Sequence, residues 1–390
     1  MRFALENSTG TRGSAMIVGC VKEIKKQEYR VGLTPGNVQD YIAHGHKVLL
    51  ESGAGEGSGF DDNLYEKSGA RLLRRAEEVW LTSDMIIKVK EPLREEWPQI
   101  RPDQILYTFL HLAADKALTD ALLSSGCKAV AYETVTDTSG GLPLLRPMSE
   151  VAGRLSVQEG AHYLEKTNGG IGVLLGGVPG VPRAKVVVLG AGIAGTQACD
   201  VALGMGADVT VLDKNLSRLV QLNVMFDGKV KTIYSCEQTI LEEIIDADLI
   251  IGAVLIPGAS APRLIRREHL SKMKTGSVIV DIAVDQGGCV ETSRVTYHDD
   301  PVYTVDGVIH YCVANIPGAV PRTATIALTN ATISYGLKIA DLGLEKAAIS
   351  DIGIQNGINI YRGHCTCPNV AKSFSIKYTP FSDCLAQSDV

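Results

Sequence analysis

Val186-Val-Val-Leu189 runs straight into Gly190-Ala-Gly192-Ile-Ala-Gly195, and a helical stretch, Thr196–Met205, follows. This order of apolar strand, glycine turn and helix constrains the chain more than any other feature. It specifies a βα unit whose turn is shaped for a dinucleotide. Gly190 permits the tight turn, Gly192 lets backbone approach a pyrophosphate, and Gly195 lets helix and strand pack closely. The phosphate charge then falls on the helix N-terminus. Asp213 ends the next strand, ADVTVLD, 23 residues after Gly190. A carboxylate there accepts hydrogen bonds from ribose hydroxyls and repels a 2′-phosphate, which favours NAD over NADP. Lys214 beside it would soften that repulsion. The competing readings are a tight turn that binds nothing and an aspartate that caps a helix or turn.

The same rhythm continues on both sides. From Lys185 come VVVLG, ADVTVLD, KVKTIYS, ADLIIGAV, GSVIVDIAV and PVYTVDGV, six strands that complete a dinucleotide-binding domain. Upstream, Val18–Val21, Lys47–Glu51, Asp84–Lys90, Gln104–Leu110 and Lys128–Glu133 read as short buried strands separated by helical segments. Between the blocks lie a turn-rich linker, Thr136–Pro147, and a helix, Ser149–Thr167, with Ser149 as its N-cap. A helix over Thr323–Gly343 leaves the second block, and the tail beyond it is too short for a domain of its own. The expected architecture is α/β. It has two Rossmann-like doubly wound domains with a cleft between them, the first discontinuous: 16–143 with 322–390 for substrate and catalysis, and 144–321 for NAD. Residues 1–15 have no apolar signal core and read as a disordered extension.

Composition narrows the function classes. With 45% hydrophobic and 21% charged residues the chain is globular, and a net charge of −6 argues against a nucleic-acid partner. No apolar run reaches the ~18 residues of a membrane span. Nine cysteines at irregular spacing read as buried thiols in a reducing cytoplasm rather than a disulfide framework. His364-Cys365-Thr366-Cys367 lacks a second ligand pair, so no metal is expected.

Ligands of open parallel sheets sit outside the carboxyl ends of strands. Lys88 and Lys90 close MIIKVK, point to one face if the strand continues, and could hold a carboxylate or simply meet solvent. His111 follows QILYTFL, where an imidazole could hydrogen-bond a carbonyl oxygen and move a proton, or rest as a core histidine. Arg30 in EYRVGLTP offers a planar fork for a carboxylate, or a surface salt bridge. Asp285 follows GSVIVDIAV before two glycines and is a candidate acid–base group or a turn residue; Asp281, inside the strand, reads as structural.

In order and spacing, KEIKKQEYRVGLTP, KVKEP, TFLHLAA, MSEVAGRLSVQEGA, GGIGVLLGGVPGV, IGAVLIPGA, VDIAVDQGGC and VANIPGAVPRTAT resemble the alanine dehydrogenase and nicotinamide nucleotide transhydrogenase family over about 16–345. The resemblance implies NAD-dependent, reversible oxidative deamination of L-alanine to pyruvate and ammonium, in a cytoplasmic homohexamer. It places the substrate-binding residues at Arg30 and Lys90 and the catalytic ones at His111 and Asp285. It places cofactor contacts at Ser149, Ile193, Ala194, Asp213, Arg218, Ser235, Val254, Leu255, Ile282, Ala283, Val284, Asp285, Arg294, Val313, Ala314, Asn315 and Ile316. The family pattern often carries Met where Ile316 stands, an apolar exchange. The alternative within the family is the nucleotide-binding subunit of a proton-translocating transhydrogenase. Lys90 with His111, and the lack of a membrane span, speak against it.

Overall fold

The computed structural model describes residues 15–254 and 261–386. The expected extension lies outside the described residues except for Ala15, and Leu255 lies outside them too. The chain forms two compact units. One runs from the first described residues to Pro147 and resumes at Pro321; the other is Met148–Val320.

The first unit is built on β1 (Ile17–Cys20), β2 (Lys47–Glu51), β3 (Arg71–Leu73), β4 (Met85–Ile87), β5 (Ile105–Thr108) and β6 (Lys128–Ala131). They are parallel neighbours in the order β6-β5-β4-β1-β2-β3. Strand order reverses between β1 and β4, so a crevice opens at their carboxyl ends. Three expected strands, Asp84–Lys90, Gln104–Leu110 and Lys128–Glu133, are too long. The ladder ends at Ile87, Thr108 and Ala131: the Lys88 N–H still meets the Tyr107 carbonyl and the Phe109 N–H the Val89 carbonyl, but Glu23 takes the next N–H groups after β4 and Glu133 those after Phe109.

The second unit has β7 (Lys185–Leu189), β8 (Asp208–Asp213), β9 (Lys231–Tyr234), β10 (Leu249–Gly252), β11 (Val278–Asp281), β12 (Val302–Val305) and β13 (Val308–Tyr311), in the order β12-β13-β11-β10-β7-β8-β9. Val186, Val188, Val209, Val211, Ile251 and Val280 face one core, and Val187, Leu189, Leu212, Ile250 and Ile279 the other. This period of two, buried on both faces, is what a doubly wound sheet demands. PVYTVDGV is not one strand. Asp306 (φ 48°) and Gly307 (φ 85°) turn it into the antiparallel hairpin β12–β13, the local signal of an Asp-Gly pair.

The tail supplies β14 (Ile358–Tyr361) and β15 (His364–Cys365), which extend the first sheet beyond β6 to eight strands. Both pair antiparallel. Cys365 and Cys367 are buried in this unit's core.

The helix expected from Ser149 spans Arg146–Tyr163. Ser149 therefore lies in its first turn and is not the N-cap. Pro147 sits in the first turn, where its missing N–H costs nothing. The helix after the glycine turn also begins earlier, at Ile193, with Gly192 as N-cap.

Candidate active site

At the carboxyl edge of the first unit's sheet, Lys90 follows β4 and His111 follows β5, and Arg30, ten residues past β1, lies close enough to Lys90 for their charges to interact. Arg30 is not a surface group. It is 2% exposed, and its Nε and Nη2 donate to Glu28 Oε1 and Oε2 at 2.7 and 2.5 Å. That two-pronged pair fixes the guanidinium plane. Burial would raise the Glu28 carboxyl, but the Arg30 bonds and charge, with Lys90 beside them, hold it at about 2. Burial, then Arg30, push the Lys90 ammonium below an ordinary lysine. A substrate carboxylate would relieve that cost.

The two lysines do not share a face. Residues 88–90 are outside β4, so alternation does not apply. Lys88 is 1% exposed and paired with Glu23 at 3.0 Å and Glu96 at 2.8 Å. It is a structural ion.

His111 is not a core histidine. It is exposed and left-handed, at φ 49°, ψ 35°. That backbone is costly for a residue with a Cβ and concentrates at functional sites. Glu133 Oε1 accepts the His111 N–H at 2.6 Å, and both Glu133 oxygens reach the Leu110 N–H at 3.2 Å. The imidazole lies flat on Phe109, with ring centroids 5.8 Å apart and planes 4° from parallel.

In the second unit the switch point lies between β7 and β10. Gly190 has φ 101°, and a Cβ there would stand 2.8 Å from the Ala253 carbonyl oxygen and 3.1 Å from Val254. A Cβ at Gly192 would meet nothing within 4 Å, so this backbone faces open space. A Cβ at Gly195 would run into the Gly190 carbonyl oxygen. The three glycines thus fit their three expected tasks, with room for a pyrophosphate beside Gly192, Ile193 and Ala194.

Asp213 ends β8 and braces the turn: Oδ2 accepts the Ala191 N–H and Oδ1 the Asn215 N–H, each at 2.7 Å. A carboxylate has about four lone-pair sites, so capacity remains for ribose hydroxyls. Arg218 donates to the Ala191 carbonyl and to Thr196 Oγ1, both at 2.7 Å, which makes it a staple of the turn. Ser235 follows β9, with its N–H on the Asp213 carbonyl at 3.0 Å. Val254 follows β10. Arg294 is exposed and lies over the Tyr303 ring at 4.2 Å. After β13, Val313 and Ile316 are buried, and Ala314 and Asn315 are half-buried at the turn.

Beyond β11, Ile282–Gln286 is a single 3₁₀ segment that ends in left-handed Gly287. Asp281 is wholly buried. It accepts the N–H groups of Ala283 and Cys289 at 3.0 Å each, and the Ser293 hydroxyl at 2.5 Å. Burial raises its carboxyl despite these donors. Asp281 thereby shapes the loop, buries Ala283 and Val284, and leaves Asp285 exposed.

Residues 19–152 match the N-terminal domain and residues 156–368 the C-terminal domain of the alanine dehydrogenase/PNT family. The chain belongs to this family. It is 52% identical to the alanine dehydrogenase of Halomonas elongata, covering 93% of this chain and 98% of that one. It is 51% identical to that of Bacillus subtilis, covering 94% and 96%. A solved L-alanine dehydrogenase superposes with a TM-score of 0.90 at 49% identity, covering 92% of this chain and 99% of that one. A transhydrogenase from Sinorhizobium meliloti gives 0.78 at 27%, covering 90% and 99%. The two-domain Rossmann-like fold is that of the family, and membership implies a nicotinamide cofactor.

Sequence reasoning passed over several residues that shape this family site. Glu28 was legible two positions before Arg30. Glu133, 22 residues after His111, closes a strand end like the groups that were singled out. Gly153 had no local signal: a Cβ there would strike the Ala194 carbonyl oxygen, so helix Arg146–Tyr163 packs directly on the glycine turn.

Proposed function

We propose that this protein is an NAD-dependent alanine dehydrogenase that converts L-alanine to pyruvate and ammonium and runs the reverse amination. What carries the reading is the placement of Arg30, Lys90 and His111 beyond the carboxyl ends of β1, β4 and β5 in one parallel sheet, with Arg30 close to Lys90. Near 50% identity to alanine dehydrogenases over almost the whole chain supports the substrate.

In this reading Lys90 and Arg30 hold the substrate carboxylate, and Glu28 keeps the Arg30 fork in plane. His111 hydrogen-bonds the developing hydroxyl or keto oxygen, from a backbone that Glu133 braces. Asp285 exchanges protons with water and the leaving amine. The amine must be neutral so that its lone pair can form the iminium, which water then converts to pyruvate and ammonium. A bound nicotinamide would supply the acceptor for the hydride that leaves Cα. The glycine turn and Asp213 would hold its dinucleotide, with Ser149, Arg218, Ser235, Val254, Leu255, Ile282–Asp285, Arg294 and Val313–Ile316 as further contacts. We also propose that the protein is a cytoplasmic homohexamer. Nine cysteines at irregular spacing, eight of them buried, support a reducing compartment, and the hexamer rests on resemblance.

The test is the absorbance of NADH formed from L-alanine and NAD. Efficiency should be higher with NAD than with NADP, and Asp213→Ala should narrow that gap. His111→Ala should lose about 10²–10⁴-fold in turnover, the usual share of one positioned acid–base group, with NAD binding retained. Absence of NADH formation would end the reading.

A further inference from the structure

Residues 88–93 follow β4 without helix or strand, yet this segment carries Lys90. Such a segment is held by whatever satisfies its backbone. The principal holder is Glu23, three residues past β1, with its side chain 2% exposed. Its Oε1 accepts the N–H groups of Val89 and Lys90 at 2.6 and 3.1 Å, and its Oε2 accepts from Lys88 Nζ at 3.0 Å. Lys88 Nζ also meets Glu96 Oε1 at 2.8 Å, and Glu96 Oε2 accepts the Leu93 N–H at 2.8 Å. On the other side, the Thr108 hydroxyl donates to the Lys90 carbonyl at 3.0 Å.

Two buried carboxylates and one buried ammonium therefore grip the segment at both ends. Apolar side chains of similar volume would often stabilise a fold as well as or better than such buried ions. What apolar groups cannot do is accept the Val89 and Lys90 N–H groups and so fix where Lys90 starts. We infer that Glu23 is a positioning residue for Lys90. With Lys88 as its counter-ion, it sets the backbone from which the Lys90 ammonium reaches the substrate carboxylate. The inference rests on the substrate role proposed for Lys90.

The test is steady-state amination of pyruvate with ammonium and NADH. Glu23→Ala removes the acceptor of both N–H groups, whereas Glu23→Gln keeps an oxygen for them and gives up only the charge. The KM for pyruvate should rise about 10- to 100-fold in Glu23→Ala, the scale of a 1 Å misplacement, and less in Glu23→Gln. In both, kcat should fall less than KM rises, and the KM for NADH should stay within about twofold. On a Lys90→Ala background, Glu23→Ala should add less than about twofold, because the group it positions is gone. Losses that multiply on that background overturn the inference. So does an unchanged pyruvate KM in both Glu23 variants beside a raised one in Lys90→Ala. An unchanged KM in Lys90→Ala itself overturns the substrate role of Lys90 and the inference with it. Should Glu23→Ala not fold, Glu23→Gln, alone and on Lys90→Ala, carries the same comparison.

Discussion

Arg30 and Glu28 show how much a single buried pair can govern. The folded Glu28 carboxyl titrates at about 2, against 4.5 for an ordinary glutamate. A depressed carboxylate contributes stability that is complete above the unfolded value and is lost as pH falls through the folded one. The window here runs from about 4.5 down to about 2. Arg30→Met leaves Glu28 buried without its guanidinium, so stability at neutral pH should fall by about 3–5 kcal/mol. Burial then raises the carboxyl, and protonation relieves it. The gap between variant and parent should therefore shrink as the pH drops toward about 3. Denaturant melts of both proteins across that range check this. A gap of constant size would show that the guanidinium does not set the Glu28 titration.

Among the elements, helix Arg146–Tyr163 shapes the glycine turn most directly, because Gly153 lets it lie against the Ala194 carbonyl. Gly153→Val would push the turn aside or lift the helix. Overpacking of this kind costs about 1–3 kcal/mol, and the displaced backbone is the part proposed to meet the pyrophosphate. The expected outcome is a rise in the KM for NAD of about 10-fold or more, on the scale of a small misplacement, with the KM for alanine much less affected. Titrating NAD at saturating alanine measures it. An unchanged KM for NAD would show that the helix has no part in shaping the turn. The hairpin β12–β13 carries a different lesson. Its Asp306-Gly307 turn signal is present in the sequence, but the apolar residues on either side mask it by matching one uninterrupted strand.

For the whole molecule, light scattering should give a mass near six chains of 41.7 kDa; a mass near one chain would remove the hexamer. The doubly wound α/β plan, the discontinuous first unit, most strands of the second unit and the glycine turn follow from local order in the sequence. Period-two burial, β-rich runs and the steric needs of Gly190, Gly192 and Gly195 act over a few residues, so a short window records them. The roles of the charged residues do not. Lys88 and Lys90 are alike in sequence, and the arrival of Glu23, from 65 residues earlier, together with Glu96 makes one a structural ion. The antiparallel edge that β14 adds to β6 joins segments more than 200 residues apart. Asp281 and Asp285 likewise part company only when Ser293 and Cys289 fold onto the first. Local pattern determines which residues are buried, but a buried charge is set by the partner that neutralises it, and that partner is chosen by the tertiary fold.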